Sequence, residues 1–173
     1  LASLLNEGSV THLYFADRLV QLPLGIFAIA ASTAILPTLS RQAAARQFDE
    51  LKHTFAHALR LVFFISIPAM MGLIVLRGPI VALLFKRGAF DAQTTRLTAV
   101  ALLYYGIGLW AFSAVRVVVS TFYALQDTKT PVQMAAISIG VNIVMGIVLM
   151  GPLKHGGLAL ATSLASMVNL GLL

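Results

Sequence analysis

Apolar residues run along this chain in long stretches, and most of the charges gather in the short segments between them. About 20 mostly apolar residues let a helix cross the hydrocarbon of a bilayer. Five stretches reach or approach that length, at about 13–36, 55–76, 94–124, 132–150 and 157–173. The first holds Pro23 and Gly25 and is expected to end at Pro37. The third is over-long for a bilayer and is expected to tilt or project beyond it.

The intervening segments predict elements of their own. Residues 38–52 interleave Arg41, Gln42, Arg46, Gln47, Asp49 and Glu50 with Leu39, Ala43, Phe48 and Leu51. That pattern predicts an amphipathic helix lying in the interface. Residues 78–90 are too short and too charged to cross. Their apolar part, 79–85, followed by Lys86, Arg87 and Gly88, predicts a short surface or re-entrant helix and then a turn. Residues 126–131 form a polar turn, and Gly151, Pro152, Lys154, His155 and Gly156 form another. The fold class this predicts is all-α, a polytopic transmembrane helical bundle.

Composition strengthens that reading. Of the 173 residues, 59% are hydrophobic and 10% charged, whereas soluble domains run near half apolar and a quarter charged. A soluble domain of this size lacks the polar residues to cover its surface. The formal net charge is +6, from 12 Lys and Arg against 6 Asp and Glu. The basic residues flank apolar runs, where cations anchor helices to phosphate headgroups, so membrane lipids are the expected partners and no nucleic acid is. Their distribution does not orient the bundle. There is no cysteine, hence no disulfide, thiolate nucleophile or cysteine zinc site. Residues 1–5 read as the tail of an earlier helix, not as a signal peptide, and 158–173 stop within an apolar run; a piece of a longer protein is expected.

Ionisable groups inside the spans are the candidate functional residues, because an Arg at the bilayer centre costs roughly 2.5–3.5 kcal/mol even on lenient insertion scales. Arg18 shares a helical face with Gln21 and Gly25, and Asp17 stacks with Gln21 at i and i+4. Arg18 either faces a water-filled cavity and binds an anion, with Asp17 orienting it, or snorkels to the nearer interface. Arg116 lies deeper, on a stripe with Gly106, Ser113, Ser120 and Tyr123. It either meets a substrate or bonds to carbonyls of a neighbouring helix. Pro23 leaves a carbonyl unpaired and is expected to bend its helix.

The later spans carry small and polar stripes: Ala135, Ser138, Asn142 and Gly146, then Ala159, Thr162, Ser166 and Asn169. Close helix packing is their first reading; cation coordination by Asn142 and Thr162 is the other, and no carboxylate accompanies them. His53 and His57, at i and i+4, have metal-gripping spacing without a third ligand and read as interfacial polar residues. No phosphate-binding loop, nucleophile elbow or paired carboxylates occur. No catalytic residue, cofactor or metal is expected.

Three strings, at 14–41 (YFADRLVQLPLGIFAIAASTAILPTLSR), 122–132 (FYALQDTKTPV) and 151–161 (GPLKHGGLALA), resemble the MurJ/MviN family of lipid II flippases, as does LFKRGAF at 84–90. The resemblance covers essentially the whole chain. It implies the multidrug and polysaccharide exporter superfamily, whose members place two pseudo-symmetric six-helix lobes around a cationic cavity. In this family two further helices form a lipid-binding groove. The chain resembles most of the second lobe, from the end of its first helix into its sixth, so the first lobe of the same protein is an implied partner. The family's cavity Arg corresponds to Arg18, the acidic residue before it to Asp17, and a basic position in the corresponding helix to Arg116. Lys129 and Asp127 fall in the QDTKTP turn, with a gating or structural role, as has Pro23.

The resemblance implies a multi-pass protein of the bacterial cytoplasmic membrane that flips lipid II by alternating access, without covalent change. A guanidinium suits such cargo, because its fork pairs with phosphate oxygens through two parallel bonds. The rivals are a related exporter of another polysaccharide lipid or a drug, and a non-transporting scaffold. A drug exporter would favour acidic cavity residues, and a scaffold has no reason to bury arginines.

Overall fold

The computed structural model describes residues 9–85 and 92–173. The expected helix tail at 1–5 and the turn at Lys86, Arg87 and Gly88 therefore lie outside the described residues. Every regular element among those described is helical: α1 Ser9–Pro23, a π-helical segment Leu24–Ile29, α2 Ala30–Ala44, α3 Phe48–Val75, α4 Arg77–Phe85, α5 Ala92–Ile107, α6 Leu109–Ala124 and α7 Lys129–Leu172. In lipid a spanning segment must satisfy its own backbone, and a helix does so without partners.

Spans long and apolar enough to cross a membrane are Leu13–Ala44, Phe48–Val75 and Lys129–Gly151. A fourth forms if Gln93–Ile107 and Leu109–Ala124, bent by 43°, count as one. Gly156–Leu172 is a shorter apolar helix.

Pro37 does not end the first span. α2 continues through it to Ala44, because lipid offers the backbone no competing partner and helix prolines are tolerated there. One turn earlier the Thr33 hydroxyl donates to the carbonyls of Ile29 (2.9 Å) and Ala30 (3.0 Å). Pro23 is followed directly by the π-helical segment, the wider turn that commonly accompanies a disturbed hydrogen-bond ladder.

The expected interfacial helix at 38–52 is two helix ends instead. α2 stops at Ala44, Arg46 takes φ 57°, and α3 starts at Phe48. The Gln47 N–H donates to the Gln42 carbonyl at 2.9 Å and the Arg46 N–H to Ala43 at 3.0 Å, a Schellman closure with arginine where glycine is usual. Asp49 and Glu50 then sit in the first turn of α3, where the helix dipole favours them.

The third span is broken rather than over-long. At Gly108 the chain bends, and the Ser163 hydroxyl donates to the Tyr104 carbonyl at 2.6 Å beside the break. A Cβ on Gly108 would lie 2.6 Å from Ser163 Oγ and 2.9 Å from the Phe112 ring. Only glycine lets the two helices approach so closely here.

α7 doubles back on itself. The Ser138 hydroxyl donates to the Ala165 carbonyl at 2.7 Å, although 27 residues of straight helix would hold them roughly 40 Å apart. Near the reversal a Cβ on Gly157 would collide with the Leu149 carbonyl oxygen.

The bundle packs around three clusters. Leu13, Ala16, Leu19, Val20, Leu102 and Ala159 join α1, α5 and α7. Ala28, Ala58, Val62 and Val117 join the π segment, α3 and α6. Leu39, Leu51 and Ala124 close the end at which α2 turns into α3. Large apolar residues left exposed, such as Phe64 (80%), Leu83 (78%) and Val148 (62%), face outward, as a lipid-facing surface requires.

Gly108→Ala should lower stability by about 1–3 kcal/mol through overpacking. Thermal unfolding of the purified membrane protein reads this as a lower midpoint, and an unchanged midpoint would mean that the helices move apart freely.

Candidate functional site

A groove of about 510 Å³ lies between the first span, α6 and the two arms of α7. Ser32 and Thr33 line one wall; Arg116, Ser120 and Tyr123 another; Ser138, Asn142, Thr162, Ser166 and Asn169 the third. Helical periodicity places these walls. Arg116, Ser120 and Tyr123 share one face of α6, while Ser113 turns away, donates to the Leu109 carbonyl at 2.8 Å and lines a separate small cleft with Pro23. The small stripes of α7 serve both purposes at once. Ser138, Gly146, Ala159 and Ser166 are buried and let the two arms pack, and Ser138, Asn142, Thr162, Ser166 and Asn169 border the groove.

Arg116 is exposed into this groove. Among the described residues its guanidinium has no hydrogen-bond or ion-pair partner, so the alternative of an Arg bonded to neighbouring carbonyls does not describe it. The Asn169 side-chain oxygen is buried beside the groove, also without a partner. Unmatched polar groups of this kind are stable within a membrane only next to water or a ligand.

Arg18 lies elsewhere, on α1, and does not line the groove. It is exposed and held by its own helix: Nη2 donates to Tyr14 Oη at 3.1 Å, Nη1 to Gln21 Oε1 at 3.4 Å, and the guanidinium stacks 4.9 Å from the Tyr14 ring centroid. The Asp17 carboxylate accepts from Gln21 Nε2. Gln21 thus bonds both Arg18 and Asp17, and among the described residues no ion pair joins the two directly. Asp17 is half-buried.

Asp127 and Lys129 sit at the far turn. Asp127 Oδ1 accepts from the N–H groups of Lys129 (3.1 Å) and Thr130 (3.0 Å), and Oδ2 from the Thr130 hydroxyl at 2.7 Å. These bonds cap the start of α7. Gln126, at φ 61°, turns the chain just before. The Thr130 bonds, then Lys129, hold the Asp127 carboxyl below its ordinary range. The six sequence candidates thus occupy separate places: Arg116 in the groove, Arg18 and Asp17 on α1, Pro23 beside the cleft, and Asp127 and Lys129 at the turn. Ser32, Thr33 and the full set from α7 complete the groove wall. Their polar character was visible in sequence, but their convergence on Arg116 was not.

A helical bundle with an apolar outer face and a polar groove among its spans defines the class: a polytopic integral membrane protein. The family model for "Lipid II flippase MurJ" matches residues 1–173. The chain is 41% identical over 173 residues to the probable lipid II flippase MurJ of Vibrio cholerae, covering 100% of this chain and 33% of that protein. To its counterpart in Rickettsia prowazekii it is 38% identical over 167 residues, covering 96% and 33%. A solved structure titled "Lipid II flippase MurJ, inward closed conformation" superposes with a TM-score of 0.88 at 32% identity, over 96% of this chain and 35% of that one. This chain belongs to the MurJ lipid II flippase family, and it spans about a third of the length of the curated relatives it matches.

Two outcomes follow from the site. In a background without other cysteines, Ser120→Cys should react with a membrane-impermeant maleimide while Phe64→Cys should not; equal labelling would mean that the groove is dry or the outer face wet. Asp127 stabilises the fold above its ordinary carboxylate pKa, and that contribution is lost as pH falls through its lowered folded value. The acid limb of a stability–pH curve should therefore flatten in Asp127→Asn, and an unaltered limb would show that the cap does not titrate.

Proposed function

We propose that the protein containing this chain flips lipid II, a pyrophosphate-linked peptidoglycan precursor, across the bacterial inner membrane by alternating access, for cell-wall synthesis. The chemistry is physical transfer, with no covalent change to the cargo. The observation that carries the reading is the unpartnered Arg116 guanidinium on a polar groove inside the spans, in a chain of the MurJ family. A pyrophosphate cannot enter hydrocarbon uncompensated, and guanidinium forks bind its oxygens bidentately.

In this reading Arg18, presented by Tyr14 and Gln21, and Arg116 contact the headgroup, and Asp17 orients Arg18 through Gln21. The rest of the protein supplies the opposing lobe, and the two rock about a midplane site as in other repeat-built transporters. Pro23 with the π segment, and the Asp127–Lys129 turn, are the places where this lobe would bend or hinge.

Charge reversal by Arg18→Glu in the full-length protein should abolish flipping in a cell-based assay that digests outward-facing lipid II, while membrane insertion stays normal. Flipping at the unmodified level by that variant would contradict the assignment.

A further inference from the structure

The outer face of α3 carries a pattern that the transport reading leaves unused. His53, His57, Arg60, Phe64, Ile67, Met71 and Val75 follow one another at three- and four-residue steps, so they form a single stripe along the helix. All seven are exposed, while Leu51, Ala58, Val62 and Ser66 bury the opposite side. The stripe is basic at its head and apolar along its length: Phe64 is 80% exposed and Val75 67%. With a rise of 1.5 Å per residue, Phe64 to Val75 spans roughly 16 Å, about the depth of one leaflet's hydrocarbon.

The head of the stripe is polar and open to its surroundings. His53, Thr54, Ala56, His57 and Arg60 form one continuous surface patch on α3. Thr54 is fixed at its edge by Gln42 Nε2 at 3.0 Å. Among the described residues Arg60 has no ion-pair partner. Two acids precede the head of the stripe: Asp49 is matched to Lys52 at 3.6 Å, and Glu50, three residues before His53, is exposed in the first turn of α3, two turns or more from Arg60.

From this we propose that the outer face of α3 holds one anionic phospholipid of the bilayer, its phosphate against His53, His57 and Arg60 and an acyl chain along Phe64, Ile67 and Met71. Charge complementarity selects the occupant. An unpaired guanidinium flanked by two imidazoles at the hydrocarbon boundary matches a phosphodiester that carries net negative charge, and a juxtamembrane cation attracts such lipids. The apolar continuation matches a tail, which a soluble anion lacks. This site lies on a different face from the transport groove and does not depend on the flippase reading.

The test is native mass spectrometry of the full-length protein released from nanodiscs that contain equal amounts of phosphatidylglycerol and phosphatidylcholine. The unmodified protein should retain phosphatidylglycerol at least about threefold over phosphatidylcholine. His53→Gln/His57→Gln/Arg60→Gln should abolish that preference, and Arg41→Gln, on α2, should keep it. Equal retention of both lipids by the unmodified protein, an unaltered preference in the triple variant, or loss of preference in Arg41→Gln would each overturn the proposal. Should the triple variant not fold, Arg60→Gln with an unchanged melting temperature carries the same comparison, and a preference equal to that of the unmodified protein would again overturn it. No precursor lipid is present, so failure here leaves the transport reading untouched.

Discussion

A backbone amide or a side-chain charge inside hydrocarbon has no water to turn to, and everything in this chain is arranged around that fact. Helices satisfy the amides. The charges are handled in different ways: Arg18 is stacked on Tyr14 and tied to Gln21 within one turn of its own helix, whereas Arg116 has no partner among the described residues and stands on the wall of a polar groove. The groove exists because the small residues of α7 let its arms close on each other through the Ser138 to Ala165 bond while keeping Asn142 and Thr162 at the rim. The same stripe thus supplies packing and a polar lining.

The irregular points of the fold lie where this arrangement needs room. The π segment after Pro23 and the break at Gly108 both interrupt helices that border the groove or its neighbouring cleft. At Gly108 the close approach of Ser163 and its bond to the Tyr104 carbonyl replace helical hydrogen bonding. Pro37 shows the opposite behaviour: one missing donor is absorbed and the helix simply continues.

The helical, membrane-spanning character was legible at once, because long apolar runs have few alternatives in a bilayer. The boundaries were less so. Residues 38–52 have the interleaved pattern of one amphipathic helix, yet the chain reverses at Arg46, a residue that gives no turn signal because its αL conformation is imposed by packing of the two helices behind it. The break at Gly108 depends on Ser163, 55 positions away, and no local window contains both. The groove was half legible: polar and small residues at helical spacing were plain on α6 and α7, but which stripes face one another is a tertiary fact. Arg18 and Arg116 stood out in sequence for the same energetic reason, and the structure separates them, placing only Arg116 in the groove.

On the proposed function, guanidinium groups within these spans are tolerated because a phosphate-bearing lipid or water meets them. The most direct measurement is a structure of the full-length protein with lipid II bound. The account predicts pyrophosphate density within hydrogen-bonding distance of Arg116 or Arg18, with ordered water in the groove. Acyl chains packed against both guanidinium groups, with the headgroup bound elsewhere, would contradict it.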